Sequence, residues 1–229
     1  MPIQTSTVSV PRASDRAAMD CYFVKPDAST SLPGLLVIHE AFGLNDNIRA
    51  ITRRFAEQGY AALAVDLFSN RNRAVCMLQA FHGMIFRPLH NPVVSDLRST
   101  IAFLQKQPGV DANRVGAVGF CMGGGYALQL AVTEKGMKVA SAFYGAAPKP
   151  LEAFARSCPV IGSYPEKDFT AKGARDLDVV LDSYNIPHDI KFYPNTQHSF
   201  FNRQRTPAEA EAANDAWERM LSFFHEHLG

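Results

Sequence analysis

The feature that most constrains the fold of this chain is a glycine-flanked segment at residues 119–123, which reads GFCMG. A mainly apolar run over 114–118 precedes it and small residues over 124–128 follow it, a pattern that predicts a strand, a sharp turn and a helix. Such a turn presents the side chain at its apex, here Cys121, beyond the end of the strand. The following helix offers free backbone N–H groups and a positive dipole end, which favour a thiolate and a developing oxyanion. Cys121 is therefore a candidate nucleophile.

The pattern around Cys121 does not establish a nucleophile on its own. Five-residue glycine patterns recur by chance, and a buried cysteine is more often a small apolar side chain than a reactive one. A cysteine nucleophile also needs a base, and the base needs a group that orients it. The rest of the chain must supply both.

Short buried strands alternate with amphipathic helices along the chain. Strands are predicted at 35–39, 61–65, 114–120, 139–144, 159–163 and 188–193, preceded by an antiparallel pair at 6–10 and 20–24. Helices are predicted at 46–58, 93–106, 124–133, 173–185 and from Pro207 onward. This alternation predicts an α/β fold with a mostly parallel central sheet covered by helices on both faces. Functional groups in such sheets gather at the carboxyl ends of the strands.

Length and composition fit a single domain spanning residues 1–229, because 47% of the residues are hydrophobic. A net charge of +1 with scattered Lys and Arg predicts neither nucleic acid nor an acidic membrane surface as a partner. The longest apolar runs, at 35–38 and 61–65, are far too short to span a membrane. We expect a cytoplasmic protein, since no signal peptide is evident and the four cysteines form no C-x-x-C pair.

Two later strand ends carry a candidate base and a candidate acid. His198 lies in the loop after the predicted strand 188–193, and Asp168 lies in the loop after 159–163. The order nucleophile, acid, histidine is that of the α/β-hydrolases. His188 begins a strand and so falls at the opposite edge of the sheet. Asp168 has an alternative reading as an ordinary turn or capping residue, and Glu166 is its nearest competitor.

Two other kinds of site fit the sequence less well. Cys121, Asp168 and His198 are possible zinc ligands by type, but the chain has no paired H-x-x-x-H or C-x-x-C ligands. The glycines between 116 and 125 do not complete the G-x-G-x-x-G pattern of a dinucleotide site. We therefore predict a site that uses neither a metal nor a cofactor.

Several segments together resemble the dienelactone hydrolase family. The likeness extends from about residue 20 to 225, and its segments are HEAFGLN at 39–45, GFCMGG at 119–124, Asp168, HSF at 198–200 and ANDAWER at 213–219. The resemblance implies an α/β-hydrolase fold. It also implies that Cys121, Asp168 and His198 form a catalytic triad.

The resemblance assigns further roles around the nucleophile. Glu40 corresponds to a glutamate that contacts the resting thiol and helps to deprotonate it once substrate binds. This role is physically reasonable, because a carboxylate beside a thiol disfavours a second negative charge and protects the thiol from oxidation. By analogy, the backbone N–H groups of Met122 and Ala41 form the oxyanion hole.

The resemblance is weaker at the residues that bind the substrate in this family. Family members that act on dienelactone hold its carboxylate with arginines and with the serine after the catalytic histidine, which Ser199 matches. The arginine expected four residues after the histidine is Asn202 here, followed by Arg203. The other arginine falls in a segment that does not align securely, where the candidates are Arg71, Arg73 and Arg87.

The sequence thus predicts a hydrolase of small carboxylic esters or lactones that forms a thioester with Cys121. One alternative is a non-catalytic, ligand-binding relative, favoured by the altered arginine positions. Another is a redox or thiol-transfer protein, disfavoured because no resolving cysteine lies nearby in the sequence. The natural substrate, the oligomeric state and a lid role for residues 70–92 stay open.

Overall fold

The computed structural model describes residues 2–27 and 31–229, and within these ranges one sheet of eight strands runs through the molecule. The strands are β1 (Ile3–Pro11), β2 (Ala18–Pro26), β3 (Leu32–Ile38), β4 (Ala61–Val65), β5 (Val110–Phe120), β6 (Val139–Phe143), β7 (Val160–Pro165) and β8 (His188–Tyr193). Their order across the sheet is β1-β2-β4-β3-β5-β6-β7-β8. β3 to β8 are parallel to one another, whereas β2 is antiparallel both to β4 and to the edge strand β1.

Seven α-helices connect or cover these strands within the described ranges. They are α1 (Asp46–Glu57), α2 (Arg73–Phe86), α3 (Pro92–Gln105), α4 (Met122–Thr133), α5 (Ala171–Ser183), α6 (Phe200–Arg203) and α7 (Pro207–Leu228), with a 3₁₀ helix at Leu151–Arg156. Asn45, Asn72, Asn91 and Thr206 cap α1, α2, α3 and α7 by accepting hydrogen bonds from backbone N–H groups of the first turn. None of the described helices combines the length and the apolar character that crossing a bilayer requires.

The helices divide between the two faces of the sheet. In β3, Leu36 and Ile38 pack into a core shared with α2 to α5, whereas Leu35 and Val37 pack into a second core shared with α1 and α7. Successive strand side chains point to opposite faces, so one apolar strand supplies both cores. The predicted fold, a mostly parallel sheet covered on both faces, is confirmed.

The predicted strands and helices are present, with their ends shifted by a few residues. The largest shift is at β5, which begins at Val110 rather than at 114, because Leu32 and Pro33 of β3 pair with Val110 and Asp111 ahead of a register shift. The predicted antiparallel pair near the N-terminus is also present.

Helix α2 was not predicted, and it occupies much of the poorly periodic segment 70–92. Its apolar residues are not confined to one face: Cys76 and Met84 are buried, whereas Leu78 and Ile85 are exposed. An amphipathic pattern is the main sequence signal of a surface helix, and this helix lacks one.

Candidate active site

Cys121 occupies the turn between β5 and α4 in a strained backbone conformation, with φ of 54° and ψ of −116°. A positive φ is uncommon for a residue with a side chain, and such strain is often found at functional sites. The turn is held on both sides: the Cys121 N–H donates to the Phe143 carbonyl at 3.0 Å, and the Gly125 N–H donates to the Cys121 carbonyl at 3.1 Å. The predicted strand, turn and helix are therefore present, with the thiol partly exposed.

Two glycines allow this turn because backbone passes where their side chains would be. A Cβ atom at Gly119 would overlap the carbonyl of Gly123. A Cβ atom at Gly123 would overlap the carbonyl of Ile38, at the end of β3. The turn at Cys121 thus depends on close contact of α4 with β5 and β3.

Replacing Gly123 with alanine is expected to destabilise the fold by about 3 kcal/mol or more, because rigid backbone cannot move aside. Gly173→Ala in α5 is the matched control, since no atom lies within 4 Å of its added Cβ. That change is expected to be neutral or stabilising by up to about 1 kcal/mol. Urea unfolding measures both variants, and equal stabilities would contradict the close contact.

His198 and Asp168 form the hydrogen bond that the triad requires, with 2.8 Å between Nδ1 and Oδ2. The other Asp168 oxygen accepts hydrogen bonds from the backbone N–H and the hydroxyl of Thr170, at 2.8 and 2.6 Å. Burial would raise the pKa of Asp168, but these bonds from His198 and Thr170 outweigh it and hold the pKa below its usual value. The ionised carboxylate can only accept, so Nδ1 of His198 carries a proton and Nε2 is left for chemistry.

The thiol of Cys121 is also close enough to His198 to affect its pKa. Burial would lower the pKa of His198, but the interactions with Asp168 and with Cys121 outweigh it and raise the pKa to about 9. Nε2 of His198 is buried and makes no hydrogen bond of ordinary geometry among the described residues. The thiol and the imidazole are thus close without forming a tight hydrogen-bonded pair. The structure brings all three predicted triad residues together.

The raised pKa of His198 predicts a pH-dependent contribution to stability. The contribution is fully present below the unfolded value of 6.5 and is lost as the pH rises through about 9. Denaturant unfolding of the wild type and His198→Gln on both sides of this window isolates it. The wild type is expected to lose more unfolding free energy than the variant, and parallel pH profiles would show that His198 is not stabilised in its protonated form.

Glu40 is the second residue after β3 and is almost completely buried. The hydroxyl of Ser199 donates to its Oε1 at 2.6 Å, so Ser199 is engaged in holding Glu40. His39 beside it is a neutral, fully buried residue whose ring nitrogens contact the Glu40 carbonyl and the Leu67 N–H. Burial lowers the pKa of His39, which therefore supports the loop rather than acting as a base.

Tyr144 is a site residue that the sequence analysis did not identify. Its ring packs on the imidazole of His198, with 4.9 Å between centroids. Burial, and then the neighbouring Glu40 and Cys121 groups, raise the pKa of Tyr144 well above its usual value, so its hydroxyl keeps its proton. The available signal was its position immediately after β6, at the carboxyl edge where functional groups gather.

The two backbone N–H groups expected to form the oxyanion hole are available. Ala41 follows Glu40 in the loop after β3, and Met122 is the first residue of α4. Among the described residues, neither amide donates a hydrogen bond to a protein acceptor.

The candidate substrate-binding arginines separate into two groups. Arg203 lies over the ring of Phe42, 5.1 Å from its centroid, and the Arg73 guanidinium lies beside Gly43, so both border the loop that follows Glu40. Arg71 instead forms an ion pair with Asp15 and, with Arg87, lines a different cavity. Asn202 is uncharged, so the position where an arginine was expected supplies no cation. Both polar atoms of its side chain are buried without a hydrogen-bond partner in the described structure.

A mostly parallel sheet with a strained turn at Cys121 after β5, and an acid and a histidine at later strand ends, is the arrangement of the α/β-hydrolase class. The model of the dienelactone hydrolase family matches residues 19–228, and the chain belongs to this family. The predicted fold and family are therefore confirmed, and the chain is a carboxylic ester hydrolase.

Known proteins resemble the chain along nearly its whole length. A Synechocystis protein named "Putative carboxymethylenebutenolidase" is 30% identical, covering 99% of this chain and 98% of that protein. A Saccharolobus solfataricus protein with the same name is 31% identical, covering 92% and 95%. The crystal structure of a dienelactone hydrolase-like promiscuous phosphotriesterase from metagenomic libraries superposes with a TM-score of 0.85 at 25% identity, covering all of both chains.

Proposed function

We propose that this enzyme hydrolyses small carboxylic esters or lactones through a thioester intermediate on Cys121. The observation that carries this proposal is the bond between His198 and Asp168, beside a thiol held at the apex of a strained turn. Asp168 orients the imidazole, and His198 moves protons between the thiol, the leaving group and water.

The first half of the reaction transfers the acyl group to the enzyme. When the His198 ring is neutral, the Cys121 sulfur attacks the ester carbonyl carbon while its proton passes to Nε2 of His198. The N–H groups of Met122 and Ala41 stabilise the tetrahedral oxyanion. When the carbon–oxygen bond breaks, the departing alkoxide takes the proton from His198 and leaves as the alcohol.

The second half returns the enzyme to its starting state. Water attacks the thioester carbonyl and gives a proton to His198. The carbon–sulfur bond then breaks, and the sulfur regains the proton as the carboxylic acid is released. The sum is ester plus water to acid plus alcohol, with no other reactant.

Glu40 is proposed to keep the resting thiol protonated. It is buried, it is fixed by Ser199, and Tyr144 is a neighbour of both Glu40 and Cys121. A negative charge at this position disfavours a thiolate until substrate binding alters the arrangement. The thiol is then protected from oxidation between turnovers.

The position of Arg73 and Arg203 favours substrates with a carboxylate. Both side chains border the loop after Glu40, which carries the proposed oxyanion donor Ala41. A cation at this place attracts an anionic substrate and orients its carbonyl near the nucleophile.

A panel of aryl esters and lactones, each with and without a carboxylate, tests the reaction and the substrate class together. The wild type is expected to hydrolyse activated members of the panel, and His198→Ala is expected to fall close to the uncatalysed rate. Arg73→Gln and Arg203→Gln are expected to raise KM for the anionic members several-fold, because a charge-assisted contact is lost. Neutral members should be unaffected.

Arg156→Gln is the control for loss of one positive charge, since Arg156 is exposed on the 3₁₀ helix. Equal turnover by the wild type and His198→Ala would contradict the proposed reaction. Equal effects of the arginine variants on anionic and neutral substrates would contradict only the proposed substrate class.

A further inference from the structure

Outside the proposed catalytic site, a cavity of about 660 Å³ lies between α2, α3 and the turn that joins β1 to β2. Its volume is within the range of small-molecule sites in proteins. Neither Cys121 nor His198 lines this cavity, which is therefore separate from the proposed reaction centre. Much of the wall is apolar, including Leu67, Phe68 and Val93.

The polar part of the wall contains a buried arginine that is incompletely paired. Arg12 is 3% exposed, and its terminal nitrogens contact Asp96 and the carbonyls of Leu67 and Ser69. Its Nε is buried and has no hydrogen-bond partner among the described residues. Since protein atoms enclose this nitrogen, a ligand in the cavity cannot reach it, and Arg12 is a fixed part of the wall.

The charge of the lining is positive once the internal pairs are counted. Its two carboxylates are already engaged, Asp96 with Arg12 and Asp15 with Arg71. Arg87 also lines the cavity and forms no ion pair within the described structure. The segment that forms most of the wall adds no negative charge, because residues 67–95 contain three arginines, two histidines and no Asp or Glu.

We infer that this cavity is a second binding site, which takes a small amphipathic carboxylate. The apolar wall accommodates a hydrocarbon or aryl body, and Arg87, which forms no ion pair among the described residues, is the cationic group left for the carboxylate. This inference does not depend on the reaction proposed for Cys121, because none of Cys121, Asp168 and His198 lines the cavity.

Isothermal titration with three eight-carbon probes tests the inference: octanoate, octan-1-ol and octylammonium. Octanoate is expected to bind with one-to-one stoichiometry, the alcohol more weakly, and the ammonium ion not at all. Arg87→Gln is expected to weaken octanoate binding about threefold while leaving the alcohol unchanged, as for loss of one exposed ion pair.

Cavity filling locates the binding site without removing a charge. Val93→Trp places an indole in the cavity and is expected to abolish octanoate binding, whereas Val179→Trp adds the same group to an exposed position of α5 and should leave binding intact. Thermal unfolding of both variants confirms that each is folded. Absence of octanoate binding to the wild type, or binding that survives Val93→Trp, would overturn the inference.

Discussion

Cys121→Ala is expected to lower kcat/KM for an activated aryl ester by about 10⁴- to 10⁶-fold, the largest effect of any single substitution in this enzyme. Alanine removes the atom that forms the bond to the acyl group, and neither His198 nor Glu40 can replace it. Residual activity would come from the oxyanion donors and from substrate positioning.

A second cysteine provides the control for loss of a thiol. Burial raises the pKa of Cys158 to about 12, so this thiol is not ionised at neutral pH and cannot act as a nucleophile. Cys158→Ala is expected to keep kcat/KM close to that of the wild type, although the small cavity it leaves lowers stability. Steady-state kinetics of both variants give the comparison. An unchanged rate in Cys121→Ala would rule out the proposed thioester.

Asp168→Asn is expected to reduce kcat by about 10³- to 10⁴-fold. In the wild type, the Asp168 carboxylate accepts a hydrogen bond from Nδ1 of His198. In the variant, an amide that presents its N–H₂ group there would favour the tautomer whose proton is on Nε2. The same change removes a charge that helps to raise the pKa of His198 to about 9. The His198 pKa, followed by proton NMR of the imidazole, should therefore fall towards its usual value.

Glu166 distinguishes this role from a general effect of removing an acid from the loop. It precedes Asp168 by two residues and is exposed. Glu166→Gln is expected to leave both kcat and the His198 titration unchanged. A large loss of activity in Glu166→Gln, together with a normal rate in Asp168→Asn, would reassign the orienting group.

The parts of the fold that the sequence predicted are those governed by local patterns. The short, continuously apolar runs of β4 and β6 are typical of strands that are buried on both faces. The glycines at 119 and 123 allow the close backbone contact that the turn at Cys121 requires. Topology indicated the two loops that carry the acid and His198, since parallel strands bring their carboxyl ends to one edge, and the family resemblance selected Asp168 rather than Glu166.

The parts that the sequence did not predict depend on contacts between distant segments. Helix α2 packs on α4 with one face but also carries exposed apolar residues such as Leu78. Its sequence therefore shows no amphipathic period. The pairing of Arg71 with Asp15 depends on the turn between β1 and β2 reaching the loop after β4. Tyr144 lies at a strand end without a motif, so only its packing against His198 reveals it.

The covalent intermediate is the most direct test of the proposed mechanism. The enzyme is mixed with p-nitrophenyl acetate, quenched in acid within milliseconds, digested and mapped by mass spectrometry. The account predicts one acetyl group per chain on the peptide that contains Cys121, formed at the rate of the initial burst of nitrophenol. Rapid turnover with no acetylated peptide, or acetylation at a different residue, would contradict it.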